Sequence, residues 1–237
     1  MQARFLWRAF KARWRDQRAE LSIIRDHIRP GDTVCDVGAH KGNYTYWLSR
    51  WVGNSGRVLA FEPQPSLAAY LRQTIPSHNV VIEQKALWSE TGALDVFVPA
   101  PNSPGASLVA TTDRSDRTRL QVPVVALDDY LPHEKRVSLL KVDAEGAELA
   151  IFQGARRILS ESRPLLVFEC ENRHLPHGSV EDVFAFLAEC GYEGYFFSPD
   201  GVRPLSAFNA DIHQSQGSPR FWDKADYCNN FLFRPRS

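Results

Sequence analysis

Glycines and acidic residues are grouped in three short stretches of this 237-residue chain, and the first is Val34–Thr45 (VCDVGAHKGNYT). Gly38 and Gly42 permit tight or left-handed backbone between a short apolar run and a helix-like segment. The free N–H groups and the positive end of a following helix would face this turn, which suits a polar or anionic ligand. The G-A-H-K-G spacing differs from the G-x-G-x-x-G of nicotinamide and flavin dinucleotide sites, so a dinucleotide is not predicted.

Glu62 gives this turn a partner, since it follows the next apolar run, 24 residues after Gly38. An acid at that place can accept hydrogen bonds from both ribose hydroxyls of a nucleotide. The alternative is a carboxylate that only favours a helix start, with Pro63 as the first helical residue. Turn and acid occur in the order expected for a nucleotide site, which favours ribose binding.

The second stretch, LLKVDAEGAE (residues 139–148), ends another apolar run with several charged residues. Lys141 and Asp143 are two residues apart, so both would point to one face of a strand. Asp143 would lie at the carboxyl end of that strand, where ligand clefts of parallel sheets lie. Glu145 and Glu148 are predicted in the first turn of the next helix, where capping is the alternative role.

The third stretch, FECENRH (residues 168–174), places acids and an imidazole after a further strand. Glu171 and His174 are candidates for proton transfer, and His40 of the first turn is another, because neutral imidazole is available near pH 7. For each histidine an exposed loop position is the alternative. Acids together with Asn172 could hold a divalent ion, but oxygen ligands are common near any polar cleft and no metal site is predicted.

Alternating strands and helices would bring these stretches together at one edge of a parallel sheet. Strands are predicted over residues 34–37, 57–61, 80–83, 137–142, 164–170, 192–197 and 230–233, and helices over 43–52, 66–75, 145–159 and 180–190. Residues 92–126 interrupt the alternation as a hairpin-like insertion with strands at 93–98 and 120–125. Residues 198–227 are predicted as a long polar loop. A single domain is predicted over residues 31–237.

Residues 1–30 are predicted as a separate amphipathic, basic helix. Its apolar stripe recurs at three- and four-residue steps and comprises Trp7, Phe10, Trp14, Leu21, Ile24 and Ile28. Residues 1–29 carry eight basic and three acidic groups, a net charge of +5, although the whole chain has a formal net charge of +0. A helix packed on the domain edge, a lid, a homodimer contact and peripheral contact with an anionic membrane all fit this pattern.

The composition of the chain weighs against several classes of partner, bond and location. Equal numbers of basic and acidic residues, 28 of each, weigh against a nucleic-acid partner. Four widely spaced cysteines without a C-x-x-C pair are predicted to be structural rather than disulfide-bonded or zinc-bound. The sequence shows neither an apolar run of membrane-spanning length nor a signal peptide, so a cytoplasmic location is expected.

Four motifs together resemble the FkbM family of S-adenosylmethionine-dependent methyltransferases: DVGAHKGNYT (36–45), FEP (61–63), ALDDYL (126–131) and LKVDAEGAEL (140–149). The resemblance implies an α/β, class I methyltransferase fold that is Rossmann-like. That fold has a mostly parallel seven-stranded sheet with its last strand antiparallel and helices on both faces.

The resemblance also implies a cofactor, S-adenosylmethionine, and an acceptor hydroxyl on a small molecule, a sugar or a lipid-linked glycan. The implied cofactor-binding residues are Asp36, Gly38, Ala39, His40, Gly42, Thr45, Glu62, Pro63, Ala86 and Asp143. His40 stands where the family commonly has Asn. The first catalytic candidate is Asp143 and the second is His174. Glu145 and Glu171 are ranked after these two. Two other functions stay open: N-methylation of nucleic acid or protein, and non-catalytic nucleotide binding.

Overall fold

The computed structural model describes residues 2–98, 118–175, 178–217 and 219–236. The strands are β1 (Thr33–Val37), β2 (Arg57–Phe61), β3 (Val80–Glu83), β4 (Ala86–Leu87), β5 (Gly92–Val98), β6 (Thr118–Val125), β7 (Leu139–Val142), β8 (Leu165–Glu169), β9 (Tyr192–Ser198), β10 (Gly201–Pro204) and β11 (Asn230–Pro235). The α-helices are α1 (Gln2–Lys11), α2 (Arg18–His27), α3 (Asn43–Val52), α4 (Pro65–Thr74), α5 (Leu127–Tyr130), α6 (Glu148–Gln153), α7 (Arg156–Glu161), α8 (Val180–Glu189) and α9 (Ala210–His213).

Eight strands form the main sheet, in the order β10-β9-β11-β8-β7-β1-β2-β3. The central strand β1 pairs in parallel with β2 and β7, and β7 pairs in parallel with β8. The last strand, β11, lies antiparallel between β8 and β9, as predicted. The sheet has one strand more than the seven predicted, because β10 folds back on β9 as a hairpin.

Both faces of this sheet are covered by helices, as predicted. One face packs against α2 and α3 through a buried cluster that includes Leu21, Ile24 and Leu48. The other face packs against the helices that follow β7 and β8, through buried side chains that include Phe152 and Leu187. Apolar side chains on both sides explain why the β1, β7 and β8 sequences are nearly continuous hydrophobic runs.

The predicted insertion over residues 92–126 contains a strand hairpin, which confirms the predicted pairing. Strands β5 and β6 pair antiparallel, and β4 adds to β6 in a second, three-stranded sheet. Residues 99–117 of this insertion lie outside the described residues. The long loop predicted over residues 198–227 is wrong in part, because it contains β10 and α9.

The predicted helix over residues 145–159 is also wrong in its bounds. It begins only at Glu148, because Glu145 and Gly146 both have left-handed backbone, with φ of 47° and 102°. The helical segment is then broken at Gly154, whose Cβ position would lie 2.1 Å from the carbonyl oxygen of Trp88. The chain turns there and continues as α7.

The N-terminal helix exists, but its buried face differs from the predicted one. It is divided into α1 and α2 by a π-helical turn over Ala12–Asp16. The buried side chains of α1 include Phe5, whereas Trp7 and Trp14 are 64% and 65% exposed. Leu21, Ile24 and Ile28 of the predicted stripe are buried.

The four cysteines lie among the described residues and are free thiols. Burial raises the pKa of Cys35 to about 12, so this thiol stays protonated and packs as a small apolar side chain. Among the described residues, no helix has both the length and the apolar character to cross a membrane.

We expect Phe5 to hold α1 on the domain, so Phe5→Ala should destabilise the protein by about 3 kcal/mol. Phe5 is 1% exposed and belongs to a cluster with Ala39 and Leu71. Phe10→Ala is the control, since Phe10 is 46% exposed and its truncation should cost no more than about 1 kcal/mol. Urea unfolding measures both variants, and equal losses would contradict this assignment.

Candidate functional site

The ends of β1 and β7 touch at the carboxyl edge of the sheet. The N–H of Asp143 donates to the carbonyl oxygen of Val37 over 3.0 Å. Gly38 has a φ of 74°, and a Cβ atom built on it would lie 1.8 Å from the carbonyl oxygen of Asp143. Only glycine fits there, so the missing side chain brings the first turn against the acid-bearing turn.

Glu62 is tied into the first turn from the end of β2. Its two carboxylate oxygens accept hydrogen bonds from the N–H of His40 (2.8 Å) and the N–H of Gln64 (2.9 Å). The side chain is 3% exposed. Burial raises the pKa of Glu62 to about 7 even though these bonds favour the ionised form. Glu62 is therefore a carboxylate that changes charge near neutral pH.

A buried polar group lies beneath the turn. The hydroxyl of Thr45 donates to one oxygen of Asp36 over 2.6 Å, and the other oxygen lies 3.8 Å from the ammonium nitrogen of Lys141. Thr45 is 0% and Asp36 1% exposed. Burial raises the pKa of Asp36, since the nearby ammonium group only partly offsets desolvation. Both residues support the turn from below.

His40 is half-buried in the turn and has left-handed backbone, at a φ of 48°. Burial and the neighbouring charge of Lys41 lower the pKa of His40 to about 4, so its ring is neutral at physiological pH. Its buried Nε2 atom makes no hydrogen bond within the described residues. Gly42 follows with a φ of 77°, and a Cβ there would meet the side chains of Ile75 and Leu71 within 2.7 Å. The packing of α4 thus requires this second glycine.

Glu148 closes the loop that carries Asp143. Its carboxylate accepts hydrogen bonds from the N–H groups of Ala144 and Gly146, at 3.1–3.3 Å. Glu148 is 1% exposed, and burial raises the pKa of Glu148 to about 7. Asp143 keeps a side chain that is 35% exposed, so it is the accessible acid of this loop.

His174 connects the second stretch to the third. Its ring nitrogens lie within 3.7 Å of carboxylate oxygens of Glu145 and Glu171. Glu171 also accepts two hydrogen bonds from Arg173 (2.7 and 2.8 Å) and one from the hydroxyl of Tyr227. Burial would raise the pKa of Glu171, but the bonds from Arg173 and Tyr227 outweigh it and hold that pKa below its usual value. Glu171 is therefore ionised and fully engaged.

Three residues of this edge were missed as site candidates. Glu169 ends β8, and burial together with the charges of Asp143 and Glu171 raises the pKa of Glu169 well above its ordinary value. The amide of Asn229 donates to Glu169 (3.0 Å) and Glu171 (3.3 Å). The position of Glu169 at a strand end could have singled it out, whereas Tyr227 and Asn229 become neighbours only through the pairing of β11 with β8.

Two of the remaining predicted residues lie at the turn, and the third lies in the second sheet. Ala39 donates its N–H to the carbonyl oxygen of Phe61 (3.1 Å), and Pro63 follows Glu62 at the end of β2. Ala86 is buried in β4, next to the end of β3. Among the described residues, no group of three or more His, Cys, Asp or Glu side chains is arranged to hold a metal ion.

The sequence also matches the model of a known protein family. The model of the methyltransferase FkbM domain matches residues 36–193, which include the first turn, Glu62 and the acids of the β7 and β8 ends. The chain belongs to the FkbM methyltransferase family.

A fungal methyltransferase resembles part of this FkbM chain. "Methyltransferase 1" of Beauveria bassiana (strain ARSEF 2860) is 31% identical over 149 residues, which are 53% of this chain and 59% of that protein. The chain thus spans less than two thirds of this fungal relative.

Two solved structures share the fold of the FkbM chain. The methyltransferase FkbM of Methylobacillus flagellatus KT has a TM-score of 0.54 at 16% identity, over 86% of this chain and 43% of that one. The fibrillarin of Aeropyrum pernix, in complex with natively bound S-adenosyl-L-methionine, has a TM-score of 0.50 at 11% identity, over 92% and 74%. At these identities the likeness concerns the class I methyltransferase fold, as predicted.

Gly38→Ala should destabilise the FkbM domain by roughly 3 kcal/mol or more, because the added Cβ collides with a backbone oxygen in a left-handed conformation. Gly92→Ala is the matched control, because nothing lies within 4 Å of its Cβ position. Thermal unfolding of both variants measures the difference. A Gly38→Ala variant as stable as Gly92→Ala would contradict the close contact of the two turns.

Proposed function

We propose that this chain is an S-adenosylmethionine-dependent O-methyltransferase. The observation that carries the proposal is the contact between the nucleotide-type turn, with Glu62 behind it, and the acidic turn that bears Asp143. A donor-binding turn and a proton-accepting group at neighbouring strand ends are what methyl transfer to a hydroxyl requires. Membership of the FkbM family supports the same reaction.

One buried polar atom of the first turn supports a nucleotide-like cofactor. His40 Nε2 is buried without a hydrogen bond in the described part of the chain, and buried polar groups ordinarily have partners. Glu62 would hold the ribose hydroxyls, and Gly38 and Ala39 would lie along the methionine part. Residues 84–87, with Ala86, would lie near the adenine. S-adenosylmethionine supplies a methyl group that is already activated on a sulfonium centre, so the protein mainly aligns the reactants and excludes water.

Asp143 is the proposed base that takes the hydroxyl proton of the acceptor. It is more exposed than the other acids of the site, and the ammonium nitrogen of Lys141 lies 3.4 Å from one of its oxygens. Glu171 is a weaker candidate, because its oxygens are engaged by Arg173 and Tyr227. His174 and Glu145 lie next to each other beside this base and would position it or the acceptor.

The proposed acceptor is a hydroxyl of a small molecule, a sugar or a lipid-linked glycan. Carboxylates can accept hydrogen bonds from several hydroxyls at once, and Asp143 and Glu145 would supply them at this edge of the sheet. The sequence lacks the N/D-P-P-Y/F tetrad that cradles a planar amine, so N-methylation is the less supported alternative.

Incubation with S-adenosylmethionine and a panel of hydroxyl acceptors tests the proposal through acceptor-dependent release of S-adenosylhomocysteine. Release with amine or RNA acceptors alone would favour N-methylation, and cofactor binding without any release would favour a non-catalytic protein.

Asp143→Asn should lower turnover by about 10²–10⁴-fold, the usual contribution of a general base. The amide keeps the size of the side chain but cannot accept the proton, so cofactor affinity should change little. Asp200→Asn, on the exposed turn between β9 and β10, is the control. Steady-state kinetics with the identified acceptor and calorimetry with S-adenosylhomocysteine separate the two quantities. Normal turnover in Asp143→Asn would remove this residue from the role of base.

Cofactor affinity should rise with pH through the pKa of Glu62, which is about 7. Ribose hydroxyls donate hydrogen bonds, so they bind the ionised carboxylate, the form that predominates above this pKa. Between about pH 6 and pH 8 the dissociation constant of S-adenosylhomocysteine should fall about tenfold.

Two variants separate Glu62 from other groups that titrate in this window. Glu62→Gln should bind more weakly and show no step in affinity between these pH values. Glu148→Gln should keep the step, although the pKa of Glu148 is also about 7, because its carboxylate faces its own loop. A step that disappears in Glu148→Gln and persists in Glu62→Gln would refute the ribose assignment.

A further inference from the structure

Helix α1 and the π-helical turn that follows it present a row of large apolar side chains to the outside of the protein. Trp7, Phe10 and Trp14 are 64%, 46% and 65% exposed, and Leu6 beside them is 37% exposed. Seven large hydrophobic residues are exposed in the described part of the chain, and these are four of them. A contiguous apolar patch of this kind on an otherwise polar surface marks an interaction site.

A row of basic residues runs along one side of this apolar row. Arg4, Arg8, Lys11 and Arg15 recur at three- and four-residue steps, so they share a helix face. The ammonium nitrogen of Lys11 lies 5.3 Å from the centre of the Trp7 ring, and the side chain of Arg15 is 70% exposed. Residues 2–18 carry six basic groups and one acid, Asp16. Asp16 pairs with Lys11 at 3.2 Å and with Arg15 at 2.7 Å.

We propose that α1 docks this protein on an anionic phospholipid surface. Trp7 and Trp14 would lie at the boundary between headgroups and acyl chains, where amphipathic aromatic rings are favoured. Phe10 lies between them and the domain, because its ring packs against Trp47 of α3 with ring centres 5.1 Å apart. Arg4 and Arg15, the exposed members of the basic row, would lie against the lipid phosphates, each adding to the attraction. Helices that lie in a membrane interface combine these same two features.

The charge pattern favours a lipid surface over a second copy of the chain. In a symmetric dimer the same patch meets itself, which would bring two basic rows together. The chain outside residues 1–29 has a net charge of −5, so an anionic surface would repel the rest of the protein and attract only the α1 side. The charge distribution therefore selects the orientation in which the aromatic row faces the membrane.

The docking helix is fixed to the domain beside the cofactor turn. Phe5, on the opposite side of α1, packs in a cluster with Ala39, and Arg8 donates a 2.6 Å hydrogen bond to the hydroxyl of Tyr70 on α4. Docking would thus place the proposed donor site at the membrane surface. The docking surface itself lies outside the proposed catalytic residues, so its test does not depend on the reaction.

Co-sedimentation with vesicles tests the proposal on the full chain. The protein should bind vesicles of phosphatidylcholine mixed with phosphatidylglycerol, with a blue shift of tryptophan fluorescence, and bind phosphatidylcholine vesicles far more weakly. The double variant Trp7→Ala/Trp14→Ala should lower the partition coefficient by about tenfold or more. Trp222→Ala is the matched control, because Trp222 is 51% exposed in the short 3-10 helix Phe221–Asp223, outside the N-terminal segment, and should bind like the wild type.

Charge reversal tests the basic row separately. Arg4→Glu/Arg15→Glu should lower the partition coefficient by at least about thirtyfold, whereas Lys135→Glu, at another exposed site, should leave it nearly unchanged. Equal binding to both kinds of vesicle, or no binding to either, would overturn the proposal. So would a wild-type dimer that becomes monomeric in the tryptophan variant, since a second copy would then cover the patch. Retention of RNA in place of vesicles, with the same sensitivity to Arg4 and Arg15, would assign the surface to nucleic acid.

Discussion

The ammonium group of Lys141 connects the two halves of the candidate site. It lies 3.8 Å from Asp36 beneath the first turn, 3.4 Å from Asp143 in the acidic turn, and 4.7 Å from the centre of the Tyr44 ring. Removing such a charge from water costs several kcal/mol unless nearby groups replace the water. Burial alone would lower the pKa of Lys141, but Asp143 and Asp36 outweigh it and hold that pKa above its usual value. The charged lysine therefore keeps the ends of β1 and β7 together.

More carboxylates than cations surround this lysine, and these carboxylates differ in how readily they ionise. Glu171 has its own cation, Arg173, and stays ionised. Burial, together with the charges of Asp143 and Glu171, raises the pKa of Glu169, so it holds a proton more tightly than an ordinary glutamate. Asp143 lies between these environments, next to Lys141 and partly open to solvent. The acids of this edge thus differ in environment, with the pKa of Glu169 raised, the pKa of Glu171 lowered and Asp143 accessible to solvent. Acids in different environments are what proton transfer needs.

The sequence predicted the fold where local signals and burial agree. Strand 57–61 and helix 43–52 have the predicted bounds because their apolar runs end at strong turn residues. It failed over residues 145–159, because Glu145 and Gly146 have left-handed backbone where the chain passes close to the His174 turn, a contact that local preference does not predict. A Cβ on Gly146 would lie 2.2 Å from the carbonyl oxygen of His174. In the site, the strand-end acids were predictable, but Tyr227, 56 residues from its partner Glu171, was not.

The N-terminal helix shows why periodicity alone does not identify a buried face. α1 has two apolar faces: Phe5 and Ala9 lie on one, and Trp7 and Phe10 lie on the other. Both faces satisfy three- and four-residue spacing, and the prediction assigned the larger rings to the buried face. The buried face is the one that includes a small residue, because Ala9 lets the helix approach α3 closely enough for its carbonyl oxygen to accept a 2.8 Å hydrogen bond from the Trp47 indole. The aromatic face is bordered by arginines, which could not all be desolvated against the domain. A basic border thus distinguishes an outward apolar stripe from a core stripe.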